Sequence, residues 1–273
     1  MPEGPEVKRN ASKLAEAVSN KTLKSVDVVS GRYTRNELIG LDQFSEQLPD
    51  KIIGVGVHGK FIYVICKSGF NLWSTLGMTG VWSKNMTVHS RLRLSFEDGT
   101  GVFFNDVRNF GTLKFVYGKN ALIKKLTSLG PDLLSGDVTY DDFKLSIIRK
   151  KKWNICKALM DQKVVAGIGN YIKAECLWLS KVDPSLNVED LTEDQLKDIY
   201  YNAKQIMQTS YDTGGATFKT HKGFDGESGK FQERFMCYGR TKDIDGNLVI
   251  KTKTPDGRNT HWAPERQKSG KHV

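Results

Sequence analysis

Val7, Ala11, Leu14 and Val18 recur at i, i+4, i+7 and i+11, and this single apolar stripe predicts an amphipathic helix near the start of the chain. Pro5 suits its first turn, where a missing backbone N–H leaves nothing unsatisfied. From Leu23 to Phe115 the pattern turns to strand. Residues 51–57 and 61–66 flank His58-Gly59 and predict a hairpin. Leu92, Leu94 and Phe96 alternate, Glu97-Asp98-Gly99-Thr100 turns, and Val102-Phe103-Phe104 returns. Such sheets bury their apolar faces by packing on each other, with the opening helix alongside.

A short helix over 121–129 leads to Gly130-Pro131-Asp132, the expected linker, so the chain divides into domains at 1–130 and 131–273. The second half opens helical. Residues 140–150 carry Phe143 and Ile147 on one face, and shorter helices follow at 153–161 and 170–179, joined by Val164-Val165-Ala166-Gly167-Ile168-Gly169. Asn170 is the expected N-cap of the second. Thr192-Glu193-Asp194-Gln195 matches a capping box ahead of Leu196, Ile199, Ala203, Ile206 and Met207. The Gly-rich stretch 214–229 reads as a mobile loop, and 235–262 as a β-hairpin with turns at Asp245-Gly246 and Asp256-Gly257. The fold class is α+β: a β-sandwich domain with flanking helices, then a helical domain carrying a hairpin finger at about 235–265.

A formal charge of +10 and a pI near 9.3 point to a polyanionic partner, nucleic acid before membrane. No stretch approaches the roughly 18 apolar residues of a membrane span, and no signal peptide opens the chain. The expectation is a soluble intracellular protein, not a secreted one. Cys66, Cys156, Cys176 and Cys237 are scattered, without a C-x-x-C pair, and read as reduced, packed thiols; neither a disulfide framework nor a zinc site is expected, and no cofactor.

The chemistry begins at Met1-Pro2-Glu3-Gly4-Pro5-Glu6. Removal of Met1 leaves Pro2 with a secondary amine, whose pKa near the usual roughly 7.7–8.0 keeps a useful fraction neutral and nucleophilic. Attack on a sugar carbon gives a cationic iminium directly. Glu3, one residue on, is suited to general acid or base work. Further along, the glycine turn into the helix at Asn170 presents backbone N–H groups to an anion. Lys60 beside the hairpin turn and Arg258 after Asp256-Gly257 can reach phosphates, as can the run Arg149-Lys150-Lys151-Lys152. Arg108 and Phe110, in Asn105-Asp106-Val107-Arg108-Asn109-Phe110-Gly111, suit a plug and a wedge in a duplex, with Met78 a flexible apolar probe between glycines. Taken singly, each has a plainer reading: a frayed terminus, a helical hairpin, solvated cations, a packed Met or Phe.

Together these stretches resemble the formamidopyrimidine-DNA glycosylase / endonuclease VIII family. The resemblance runs from Pro2-Glu3-Gly4-Pro5-Glu6-Val7 through His58-Gly59-Lys60, Leu76-Gly77-Met78-Thr79-Gly80, 105–111 and 165–170 to Gly257-Arg258, in the family's order. It implies a β-sandwich, a helix–two-turn–helix and a C-terminal finger, with DNA in the cleft between domains. It also implies roles: Pro2 as nucleophile, Glu3 as catalytic acid, Lys60 in the catalytic set and, with Asn170 and Arg258, on phosphates. Met78, Arg108 and Phe110 would fill the hole left by an everted nucleotide. Many members bind zinc through four finger cysteines, whereas here only Cys237 lies in that region. This resembles the zincless-finger branch, similar to vertebrate endonuclease VIII-like enzymes and a giant-virus relative, with packing through Trp262, Tyr238 and Val249 in place of the metal. The implied activity is a monomeric glycosylase and abasic-site lyase cutting by β- and δ-elimination, and the implied location is the nucleus or wherever DNA is replicated. Its substrate would be duplex DNA with oxidised pyrimidines, ring-opened purines, hydantoins or abasic sites. The alternative is a non-catalytic DNA-binding protein, which needs the basic surface but neither a free Pro2 nor Glu3.

Overall fold

The computed structural model describes residues 2–216 and 223–267. By internal contacts the chain forms two compact units, one of residues up to 2, 6–128 and 214–230, the other of 3–5, 129–213 and 231 onward.

In the first unit, α1 (Gly4–Val18) buries its predicted stripe: Val7, Ala11, Leu14 and Val18 are at most 3% exposed, and full burial of such a side chain is worth about 1.5–3 kcal/mol. Beyond it lie β1 (Thr22–Val28), the short helix α2 (Leu41–Ser45), β2 (Asp50–His58), β3 (Phe61–Cys66), β4 (Phe70–Thr75), β5 (Gly80–Ser83), β6 (Ser90–Phe96), β7 (Gly101–Asp106), β8 (Thr112–Tyr117) and α3 (Lys119–Thr127). The strands run β5-β7-β6-β1-β2-β3-β4-β8, all antiparallel, yet β1 and β2 share only the pairs Thr22–Lys51 and Leu23–Asp50. That thin seam lets the two four-stranded halves pack as a sandwich over one core, into which α2 sends Phe44, stacked on Phe115 at 4.4 Å. Asn10 of α1 stitches edge strand β5 by exchanging hydrogen bonds with the backbone of Trp82, 2.9 and 3.0 Å.

The second unit contains α4 (Tyr140–Ile148), α5 (Ile155–Met160), α6 (Asn170–Leu179), α7 (Glu193–Asp212) and the hairpin β9 (Ile250–Lys253)–β10 (Asn259–Trp262). The capping box at Thr192 and Gln195 forms as predicted, and α3, α4 and α5 lie within two residues of their predicted bounds. α6 is buried almost all round.

Four local expectations change. Gly130-Pro131-Asp132 is no loose linker: Gly130 N–H donates to Gln162 O, Ala166 N–H to Pro131 O, and Asp132 bridges Ala166. Asn170 is the first residue of α6, and its N-cap is Gly169. Of the stretch 214–229, residues 217–222 lie outside the described residues, while its flanks are tied down on the first unit. Ala216 N–H donates to Glu6 Oε1 at 2.8 Å, and Phe224 is 2% exposed in the sandwich core. Finally, Trp262 does not enter the finger's core; its indole N–H goes to Thr252 on the partner strand. Trp178 of α6 takes that place, packed with Cys237, Val249 and Ala263, while Tyr238 packs on Phe235 and His261.

Candidate active site

Pro2 is buried, directly ahead of Glu3. Glu3 is 2% exposed, and its carboxylate accepts from the backbone N–H of Tyr171 at 2.9 Å and of Ile172 at 3.2 Å. The N-terminal amides of α6, predicted to await a phosphate, are therefore bonded to a side chain 168 residues away. The same two donors at the start of the helix fix the carboxylate in direction. Gly4 N–H, bonded to Gly167 O at 2.8 Å, fixes the backbone just beyond. The glycines of the α5–α6 turn have separate reasons. Gly167 has φ +91°, a left-handed conformation, whereas Gly169 is extended but a Cβ there would sit 2.2 Å from Glu3 Cδ.

α6 also carries two charges deep into the finger. Lys173, fully buried, pairs with Asp256 at 2.6 Å, and Asp256 opens the turn at Gly257 (φ +77°) between β9 and β10. Glu175, also fully buried, accepts from the N–H of Met236, Cys237 and Tyr238. Burial raises its carboxyl above the ordinary range, against the pull of those three amides. Thr254 holds the Arg258 carbonyl through its N–H and its hydroxyl, leaving the Arg258 side chain exposed. Asn170 latches the start of α6 to the same hairpin: its Nδ2 donates to Asn259 O at 3.1 Å, and its amide also hydrogen-bonds Tyr238. Burial raises the Tyr238 hydroxyl, while burial and the nearby Lys251 and Lys173 lower His261. Asn170 Oδ1 and His261 Nδ1 are buried without a hydrogen-bond partner.

The finger's residues do not fit a zinc ion. Cys237 is wholly buried in an apolar cluster, its thiol pushed up to about 12 by burial, and among the described residues no three His, Cys, Asp or Glu converge on a metal position. The cross-link that a metal would supply is made instead by Lys173–Asp256, by Glu175, and by Asp243, which accepts the Trp178 indole N–H and the Asn247 amides.

The first unit holds the remaining predicted residues. Lys60 follows Gly59 (φ +56°) in the β2–β3 turn and is half-buried. Arg108 and Phe110 are exposed and stacked, the guanidinium 4.7 Å from the ring centroid. Met78 is half-buried on the neighbouring loop, whose Gly77 (φ +61°) lies so close to the Phe110–Gly111 backbone that a Cβ would collide. Two buried residues lace these loops together. Thr79 donates to Asp106 and accepts from Arg108 N–H at 2.9 Å, and Asp106 Oδ2 accepts from Gly111 N–H at 2.7 Å. The structure thus brings Met78, Arg108 and Phe110 together on one unit, and Glu3, Asn170 and Arg258 on the other.

Sequence reasoning missed Thr79, Asp106, Lys173, Glu175 and Asp256. For Lys173 and Glu175 a signal existed: they are charges inside the otherwise apolar run Ile172–Leu179. Thr79 and Asp106 gave none.

A β-sandwich followed by a helix–two-turn–helix, with proline and glutamate at the head of the chain, is a DNA glycosylase fold. The chain belongs to the formamidopyrimidine-DNA glycosylase family: the family's N-terminal domain matches residues 1–113 and its H2TH domain 129–222. The formamidopyrimidine-DNA glycosylase of Ligilactobacillus salivarius is 31% identical, over 98% of this chain and 99% of that one. The MutM (Fpg) protein of Thermus thermophilus has a similar structure, with a TM-score of 0.85 and 30% identity over 98% of this chain and 100% of that one. So does the Fpg of Lactococcus lactis. Its G226P mutant bound to DNA containing Fapy-dG has a TM-score of 0.86 and 28% identity, covering 98% and 100% of the two chains. Its complex with DNA containing an abasic site has a TM-score of 0.85 and 27% identity, covering 97% and 99%.

Proposed function

We propose that this protein excises oxidised bases from duplex DNA and cleaves the strand at the resulting abasic site, with the Pro2 amine as nucleophile. The observation that carries the proposal is the fixing of the Glu3 carboxylate by two amides of α6, next to Pro2. A buried, oriented carboxylate beside a secondary amine suits a reaction needing both an attacking nitrogen and a proton carrier. After Met1 is removed, Pro2 N attacks C1′ as the glycosidic bond breaks, and Glu3 assists ring opening and the departure of the protonated base. The nitrogen, having lost its proton, forms an iminium with C1′. That iminium acidifies C2′–H; loss of the proton expels the 3′ phosphate, and a second elimination expels the 5′ phosphate.

The two halves divide the work. The sandwich domain (1–130) supplies Lys60 for a phosphate and Met78, Arg108 and Phe110 for the gap left by the everted nucleotide. The helical domain (131–273) supplies Asn170 and Arg258 for phosphates. The Asn170 amide is engaged with Asn259 and Tyr238, so a phosphate must take over one of those bonds.

Relatives named for formamidopyrimidine make ring-opened purines the first substrate class. The zinc-free finger favours the endonuclease VIII-like branch, which adds oxidised pyrimidines and hydantoins. The relatives are bacterial and lend a nuclear location no support, and among the described residues no helix is long and apolar enough to cross a membrane. The protein acts as a monomer.

Borohydride trapping on abasic-site DNA tests the reading. Processed protein should become covalently attached, and protein retaining Met1 should neither trap nor cut. Trapping by a chain shown by mass spectrometry to keep Met1 would remove Pro2 from the mechanism, and no trapping by processed protein would favour a non-catalytic DNA-binding protein.

A further inference from the structure

On the sandwich unit, a cavity of about 430 Å³ opens beside the loop of Arg108 and Phe110, lined by Gly31, Arg32, Thr34, Arg35, Asn36 and Asn109. Two arginines pin its walls together. Arg91 of β6 donates to Asp106 O at 2.8 Å, to Val107 O at 3.4 Å and to Ser30 Oγ at 2.8 Å. Arg32 donates to Gly111 O and, at 3.1 Å, to Tyr33 Oη. Both ends of the loop are thus fixed, with Arg108, Asn109 and Phe110 between them. Asn109 is left-handed (φ +57°), and Gly31 (φ +82°) fits so closely that a Cβ would lie 3.1 Å from Asn109 Oδ1 and 2.7 Å from Arg91 Cδ. The backbone N–H groups of Arg35 and Asn36 both return to Arg32 O, at 3.1 and 2.9 Å, which closes the turn and leaves the two side chains exposed. Among the described residues, Arg32, Arg35 and Arg91 form no ion pair. The nearest carboxylates in the chain stand elsewhere: Asp106 is buried and accepts from Thr79 and Gly111, and Glu37 lines the neighbouring cavity that Arg32 also borders.

We propose that this cavity holds one phosphodiester group of the DNA backbone, with Arg35 as its counter-charge and the Asn36 and Asn109 amides as further donors. A solitary exposed arginine is ordinarily a solvated charge. Here it shares a cavity with two amides and a second guanidinium, and no carboxylate lines the space. Guanidinium N–H groups only donate and phosphate oxygens only accept, so the two are matched in charge and in hydrogen bonding. The inference rests on the reading that Arg108 and Phe110 enter the duplex. Residues pushed into the stack bring the turn that carries them, Asn109 included, up against a sugar–phosphate backbone. A phosphate contact fixes register without reading sequence, and one at this place steadies the loop while the gap is filled. The phosphate has two sources, the damaged strand and its complement.

Binding of the full chain to a duplex carrying a tetrahydrofuran abasic analogue, measured across a range of salt concentrations, tests it. Arg35→Ala removes an exposed side chain, so the variant folds. It should weaken binding about tenfold and lower the slope of log K against log salt by about 0.9, the share of one phosphate. Neutral methylphosphonates, placed one at a time along each strand, then locate the contact. At one position the replacement should weaken the wild-type protein but not Arg35→Ala. Whether that position lies in the damaged strand or in its complement identifies the source. An unchanged salt slope in Arg35→Ala, or losses that simply add at every position of both strands, would overturn the proposal. Phe110→Ala measured alongside judges the other reading: binding at full strength by that variant refutes gap filling, whereas the phosphate scan judges the Arg35 site by itself.

Discussion

Glu3→Gln separates the two tasks that the structure gives to one carboxylate. Its two oxygens accept from Tyr171 and Ile172 N–H, both bonds charge-assisted and both buried. Glutamine keeps one acceptor oxygen, loses the charge, and turns an NH₂ toward the other donor. With about 1.5–3 kcal/mol for each charged hydrogen bond, losing one and weakening the other should cost about 2–4 kcal/mol of stability. Typical stabilities of about 5–15 kcal/mol leave the variant folded, with Tm lower by roughly 2–4 °C per kcal/mol. The lost proton carrier acts separately and should slow base excision by about 10²–10⁴. Cleavage at a preformed abasic site should suffer less, because Pro2 can attack the open aldehyde without a departing base. Single-turnover excision and abasic cleavage, measured on the same preparation with a melting curve, resolve the three quantities. Equal loss of both activities would assign Glu3 to binding or folding alone. An unchanged melting curve would refute the cap.

Gly169→Ala should have a similar effect without touching the acid, because the added methyl takes the space of Glu3 Cδ; excision at full wild-type rate would show that Glu3 need not stand there. Lys173→Met leaves the buried Asp256 carboxylate with the Thr254 hydroxyl but without its counter-charge and should destabilise the second unit by about 3–5 kcal/mol in urea unfolding, while Lys173→Met/Asp256→Leu should recover most of it. A single variant costing under about 1 kcal/mol would mean that the pair does not hold the hairpin. Burial pushes the Cys66, Cys176 and Cys237 thiols up to about 12 and Cys156 up to about 11. Native protein at pH about 8, below all four values, should therefore resist alkylation, and a chelator should leave excision unchanged; loss of activity with a chelator would restore a metal to the finger.

Much of the fold was legible in the chain because its signals are local. The α1 stripe, the 58–59 turn, the alternation at 92–96 and the Thr192 capping box each lie within a few residues, and period and turn chemistry suffice to read them. The family resemblance added the residues at the turns, where motif and backbone conformation coincide, as at Gly59 and Gly257. Other features depended on partners far away in sequence. Asn170 reads as an N-cap because the capping side chain is normally a neighbour in sequence, whereas Gly169 holds the N-cap position and the carboxylate that accepts from the helix amides is that of Glu3, far away in the chain. Trp262 read as finger core because it is large and near, but Trp178 fills that space from α6. Lys173 and Asp256, 83 residues apart, are ordinary charges until folding removes water from both and leaves each as the other's counter-charge. Sequence by itself determined which segments are helix, strand and turn and which residues could do the chemistry. Only the tertiary structure decided which charges are buried and what they hold, because desolvation depends on everything packed around a group.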